Sequence, residues 1–144
     1  MNDTIRDRWE SVYRKAEYKL MLDDTTLTLR IGQYDADAEQ LIQRATGLKR
    51  EWYIITPCNP RSEQARSELN LYYFNELRYE VESRSGIWFQ ALNCDPSGEW
   101  PDEPGFMLVD ADRVWVMDMG ERFYQNALVT ARVGEAPRLL WLNG

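Results

Sequence analysis

Two pairs of short β-type segments follow one another with no helical pattern between them, residues 87–92 with 106–109 and residues 127–133 with 138–142. This adjacency constrains the fold more than any other feature of the chain. Consecutive strands without a crossover helix pair antiparallel, so a doubly wound parallel sheet is the weaker of the two architectures open to alternating helices and strands. The run Glu51-Trp52-Tyr53-Ile54-Ile55-Thr56 is rich in β-branched and aromatic residues and stops at Pro57 and Pro60, because proline has no N–H to give a ladder. From Ser62 the apolar period lengthens to the helical one, until Ser83-Arg84-Ser85-Gly86 breaks it. A further helix, capped by Asp110 or Asp112, carries Val114, Trp115 and Phe123. From residue 51 the order is therefore β-α-β-β-α-β, the split βαβ arrangement with two helices over one sheet face.

Ahead of this core, Ile5, Trp9, Val12 or Tyr13, Ala16 and Leu20 recur at helical spacing and predict one amphipathic helix from Thr4 to about Leu20. Residues 26–31 alternate polar and apolar as a half-buried strand, and Asp35 starts a short helix carrying Leu41, Ile42 and Ala45 that Gly47 ends. The expected fold is α+β: a mixed, mainly antiparallel sheet with a split βαβ core, an extra N-terminal helix and a C-terminal hairpin. No repeat or Pro/Gly/Ser linker divides it, so residues 1–144 read as a single domain with 1–24 as a helical extension packed on it.

Composition removes whole classes of chemistry. The chain has 144 residues, no histidine, and 17 Lys and Arg against 24 Asp and Glu, a net charge of −7. Without imidazole there is no Ser-His-Asp or Cys-His nucleophile and no His-containing metal site. The acidic balance argues against nucleic acid as a partner, since that binding rests on Lys and Arg neutralising phosphates. Cys58 and Cys94 are too few for a disulfide framework or thiolate metal site, and neither sits in a CxxC spacing. No cofactor motif is present, and neither cofactor nor metal is expected. The charged start MNDTIRDRWESVYRK lacks an apolar core of the signal-peptide kind, and no run approaches the ~20 apolar residues of a membrane helix. A cytoplasmic protein with no membrane partner is expected.

Thr56-Pro57-Cys58-Asn59-Pro60-Arg61-Ser62-Glu63 leaves a strand through an Asn-Pro turn and opens a helix. A helix N-terminus exposes unpaired N–H groups and carries partial positive charge, so Asn59, Arg61 and Ser62 are candidates to hold a phosphate or carboxylate. The same residues also serve a plain turn and N-cap. Asn70 lies between Leu69 and Leu71 with Tyr73 and Phe74 nearby, and an amide among such neighbours must find partners. In the acidic and aromatic loop Glu99-Trp100-Pro101-Asp102-Glu103-Pro104-Gly105, Glu103 is the candidate acid or base. Gln125 and Asn126 join a helix to a strand, where their amides contact a ligand or satisfy the helix end.

Taken together, these segments resemble the bacterial family catalogued as domain of unknown function 3293. The resemblance runs from about Leu29 to Leu142 and is carried by Leu29-Arg30-Ile31-Gly32, Thr56 with Asn59-Pro60-Arg61-Ser62, Asn70, Trp100, Glu103-Pro104, and Phe123 with Gln125-Asn126-Ala127. Pro57-Cys58 replaces the family's usual small and aromatic pair, and Gly105 stands where Ser is typical. The resemblance implies no activity, but it groups Asn59, Ser62, Asn70, Glu103, Gln125 and Asn126 into one signature. The expected function is binding or regulation through an anion-facing polar pocket at 59–62, for a small anionic ligand or a protein partner. The alternative is an enzyme without histidine or metal that uses carboxylate acid–base chemistry on a small phosphorylated or carboxylated substrate.

Overall fold

The computed structural model describes residues 5–22, 24–59 and 62–142. The order is α1 (Ile5–Lys15), β1 (Glu17–Met21), β2 (Thr26–Leu29), α2 (Ala36–Thr46), β3 (Glu51–Ile55), α3 (Ser67–Ser83), β4 (Ile87–Cys94), β5 (Glu103–Val109), α4 (Arg113–Arg122), β6 (Ala127–Arg132) and β7 (Arg138–Trp141). Among the described residues the seven strands form one sheet, β2-β1-β4-β5-β3-β6-β7. Each pairing is antiparallel. β5 lies between β3 and β4, and β3 lies between β5 and β6, which is the split βαβ core with the C-terminal hairpin added at one edge.

Period-two alternation sends each strand's apolar residues to two separate cores. Tyr53, Ile55, Phe106 and Leu108 face α3 and α4, where Leu77, Val81 and Val116 cover them. On the other face Trp52, Ile54, Met107 and Val129 meet Tyr18 and Leu20 of β1 and Ala38 and Ile42 of α2. Asp35 caps α2 by accepting from the Ala38 N–H, and Gly47 ends it at φ 74°, a left-handed position that suits glycine.

Three sequence expectations are corrected, and one that left two residues open is decided. The first helix stops at Lys15, and Glu17–Met21 is a strand inside the sheet, so the segment 1–24 is not a wholly helical extension. Tyr18 and Leu20 are buried at period two, and pairing with β2 and β4 on both sides satisfies the backbone of this segment. The long helix starts at Ser67 rather than Ser62, because Asn59 and Ser62 sit at φ 51° and 61°, outside the right-handed helical region. Glu103 and Pro104 belong to a strand, opposite Asn93 and Leu92, and not to a loop. Of the two Asp residues proposed as cap, Asp112 caps α4 through the Val114 N–H, while Asp110 accepts from the N–H groups of Lys49, Arg50 and Glu51.

Candidate functional site

β3 ends at Ile55, and the chain then turns beneath the start of β5. Thr56 Oγ1 fixes this turn by donating to the Pro104 carbonyl at 2.9 Å and accepting from the Cys58 N–H at 3.2 Å. Asn59 follows in the left-handed conformation that asparagine tolerates better than most residues. Its N–H donates to Asn70 Oδ1 and its Oδ1 accepts from Asn70 Nδ2, both at 2.9 Å, a reciprocal pair that ties the turn to α3. The Ala65 N–H also donates to Asn59 Oδ1 at 2.9 Å. A backbone N–H can only donate, so the orientation of the Asn59 amide is set, and its Nδ2 points a donor at Glu103 Oε2.

Asn70→Ala removes the acceptor of one buried N–H and the partner of Asn59. We expect a loss of about 2 kcal/mol in urea denaturation. A change within the measurement error would show that water replaces the amide without cost.

A second polar group adjoins the first, with the Ser62 N–H donating to the Asn59 carbonyl at 2.9 Å. Asn126 Nδ2 donates to Ser62 Oγ at 2.9 Å and to Tyr13 Oη at 3.3 Å, and Tyr13 and Ser62 share a hydrogen bond of their own. Gln125 Nε2 donates to the carbonyls of Cys58 and Phe123 at 3.1 and 3.2 Å. Through Tyr13, helix α1 is held over the end of the sheet. Aromatic contacts complete this roof: Trp9 stacks on Tyr13 with centroids 6.1 Å apart, Trp100 meets Trp9 edge-on at 6.1 Å, and Tyr13 stacks on Trp141 at 5.5 Å. Asp95 accepts from the Ser97 and Trp100 N–H groups and so sets the turn that presents Trp100.

Between roof and floor lies a cavity of about 120 Å³ lined by Trp9, Tyr13, Tyr18, Asn59, Trp100 and Glu103, among others. It continues the core face that carries Ile54 and Val129, beyond the part covered by α2. Burial pushes the Glu103 carboxyl up to about 7, and the Asn59 donor offsets only part of that shift. Burial likewise pushes the Cys58 thiol up to about 11, so near neutrality it is a protonated thiol and a poor nucleophile. Burial also raises Tyr13, against the pull of its Ser62 and Asn126 hydrogen bonds. The arrangement combines an apolar, ring-sized space with one carboxyl that titrates near neutrality.

Of the residues singled out in the sequence, Asn59, Ser62, Glu103 and Gln125 line this cavity. Asn70 stands behind Asn59, and Asn126 stands behind Ser62. Arg61 lies outside the described residues. Ser62 is not a helix cap, and its hydroxyl serves Tyr13 and Asn126 instead. Sequence reasoning missed Trp9, Tyr13 and Tyr18 as wall residues, and it missed Asn93. The Trp9/Tyr13 pair at i, i+4 was legible only as one face of an amphipathic helix. Asn93 gave no signal, because its position depends on the register opposite Glu103. At Gly105, a Cβ would lie 2.2 Å from the Ile55 carbonyl oxygen, which leaves no room for the serine typical of the resembled family.

Among the described residues, no group of three or more His, Cys, Asp or Glu is placed to hold a metal ion, and no helix is long and apolar enough to cross a membrane. A profile of the family described as "Protein of unknown function (DUF3293)" matches residues 55–128, half of the chain, and the chain belongs to that family. No curated protein and no solved structure matches it.

Proposed function

We propose that this family member is a cytoplasmic bacterial binding module whose cavity takes a small, flat, largely apolar molecule between the α1 aromatics and the Glu103 floor. The observation that carries this reading is the meeting of four signature residues, Asn59, Ser62, Glu103 and Gln125, around one aromatic-walled space. A space of about 120 Å³ is close to the ~150 Å³ that holds a benzene-sized ligand. Buried free thiols at Cys58 and Cys94 support a reducing compartment. The net charge of −7 supports a small ligand over nucleic acid, and a membrane is not among the partners proposed. Support for an anion is weaker than the sequence suggested: the long helix starts at Ser67, and the ionisable groups described near the cavity mouth and floor include the carboxyls of Asp95 and Glu103.

The test is a set of ring-sized ligands, indole and toluene first, titrated by ligand-detected NMR. Dissociation constants on the order of 0.1–1 mM are expected for ligands of this size. Ala127→Phe, which fills the space from β6, should abolish binding. Binding that survives in Ala127→Phe, or no binding by the wild type, would remove this reading. One observation favours a second reading. A carboxyl near 7 lies where a general acid–base catalyst works best, so turnover in a broad substrate screen that Glu103→Gln abolishes would make the protein an enzyme.

A further inference from the structure

Resting on the reading of the cavity as a binding site, we propose that its polar end recognises an amide edge, the C=O and neighbouring N–H of a carboxamide or lactam carried on a single ring. Tyr18 of β1 pairs with Asn93 of β4, and Asn93 pairs with Glu103 of β5. Direct partners leave the same face of a sheet with Cβ atoms ~5 Å apart, so these side chains form one row along the cavity that they line. Asn93 is half-buried: its Oδ1 is enclosed, and the amide nitrogen Nδ2 is the polar atom left open. Turning the amide over would enclose the two donors of an NH2 group in place of one oxygen, a larger loss. Glu103 receives the Asn59 donor on Oε2. Its Oε1 is not enclosed and, like Asn93 Nδ2, has no hydrogen-bond partner among the described residues.

A donor and an acceptor thus stand on neighbouring strands without bonding each other. An amide edge carries the complementary pair in one plane, its oxygen for Asn93 Nδ2 and its N–H for Glu103 Oε1, as an Asn side chain reads the paired donor and acceptor of adenine. Several other polar groups of the lining are already engaged. Tyr13 and Ser62 bond each other and Asn126, Thr56 holds the Pro104 carbonyl, and Asp95 accepts from Ser97 and Trp100. With its carboxyl near 7, Glu103 is mostly ionised at pH 8, and a carboxylate accepts an N–H more strongly than a neutral oxygen does. A carboxylate ligand would instead set its second oxygen against Oε1. Trp9 and Trp100 stand at 76° to each other, so a flat ring that stacks on one meets the edge of the other.

Benzamide, acetophenone and benzoate share one ring and one carbonyl-type oxygen, and differ in what stands beside it: an N–H donor, a methyl group or a second acceptor. Titrated against the full chain at pH 8 by ligand-detected NMR, with toluene as the apolar reference, they should bind in that order. Benzamide should lead acetophenone by about tenfold, the worth of a charge-assisted hydrogen bond. Glu103→Gln inverts the acceptor. Asn59 Nδ2, fixed by the Ala65 N–H, holds the glutamine oxygen, so the glutamine NH2 takes the place of Oε1. Benzamide should then fall to the level of acetophenone or below it, with toluene unchanged. Asn93→Ala should weaken benzamide and acetophenone severalfold and toluene little. Three results would overturn the inference while toluene binding keeps the cavity reading alive: acetophenone or benzoate binding as well as benzamide, or a benzamide lead that survives Glu103→Gln. If no probe binds, toluene included, the cavity reading itself fails and takes the inference with it.

Discussion

Glu103→Gln is expected to stabilise the folded protein at pH 8, although it alters a residue at the centre of the candidate site. The carboxyl is pushed from an ordinary 4.5 up to about 7, with burial as the larger cause and the Asn59 hydrogen bond opposing it. A raised carboxyl binds its proton more tightly in the folded than in the unfolded chain. Its contribution is therefore whole below about 4.5 and is lost as pH rises through 7. At ~1.4 kcal/mol per pKa unit the loss approaches about 3 kcal/mol above pH 7. Glutamine accepts the Asn59 donor equally and has no charge to bury. Tyr13, Tyr18 and Cys58 feel the Glu103 charge, but all three are shifted upward and stay neutral across this range. Urea midpoints at pH 5 and pH 8 check the sign: the variant's advantage should widen by about 2 kcal/mol between them. An advantage that stays flat, or reverses, would mean that water or a cation already solvates the carboxylate.

The second large effect is at Gly105. In β5 its Cα lies so close to β3 that an added Cβ would stand 2.2 Å from the Ile55 carbonyl oxygen and 3.0 Å from Thr56 Cα. These are backbone atoms in a sheet interior and cannot swing aside as a side chain tip does. Gly105→Ala should cost about 3 kcal/mol, the upper part of the overpacking range. It should also break the site. Moving β5 from β3 separates Thr56 from the Pro104 carbonyl and Glu103 from Asn59, two bonds that join β5 to the turn after β3. Indole binding and urea stability should therefore fall together. A variant within ~0.5 kcal/mol of wild type, with its binding intact, would contradict the close approach.

The parts of the fold that could be read from the sequence share one property: their signals are local. Glu51–Ile55, Ile87–Cys94 and Ala127–Arg132 announce themselves by β-branched and aromatic runs bounded by turn residues, and Asp35 and Gly47 mark α2 by their capping chemistry. The failures have the opposite character. Ala16 and Leu20 are four apart, which suits a helix, while Tyr18 and Leu20 are two apart, which suits a strand; the choice was made by the β2 and β4 backbones, far along the chain. The start of α3 was misplaced because Ser62 and Glu63 look like a cap and first turn. Positive φ at Asn59 and Ser62, fixed by hydrogen bonds to Asn70 and Tyr13, delays the helix to Ser67. In the candidate site, the polar signature could be grouped by resemblance alone, and its geometry could not. Asn93 became a neighbour of Glu103 only through strand register.

The cavity's base and its cover come from opposite parts of the chain. Asn59, Glu103 and Gln125 belong to the split βαβ core and its connections, whereas Trp9 and Tyr13 belong to a helix that precedes the sheet. Tyr13 joins the two through Ser62 and Asn126, with aromatic stacking beside it. Substitutions along α1 at Trp9, Val12 or Ala16 can thus reshape the cavity and leave the hydrogen bonds that orient Glu103 untouched. Cover and base can therefore be altered separately, the cover through α1 and the base through the bonds that hold Glu103.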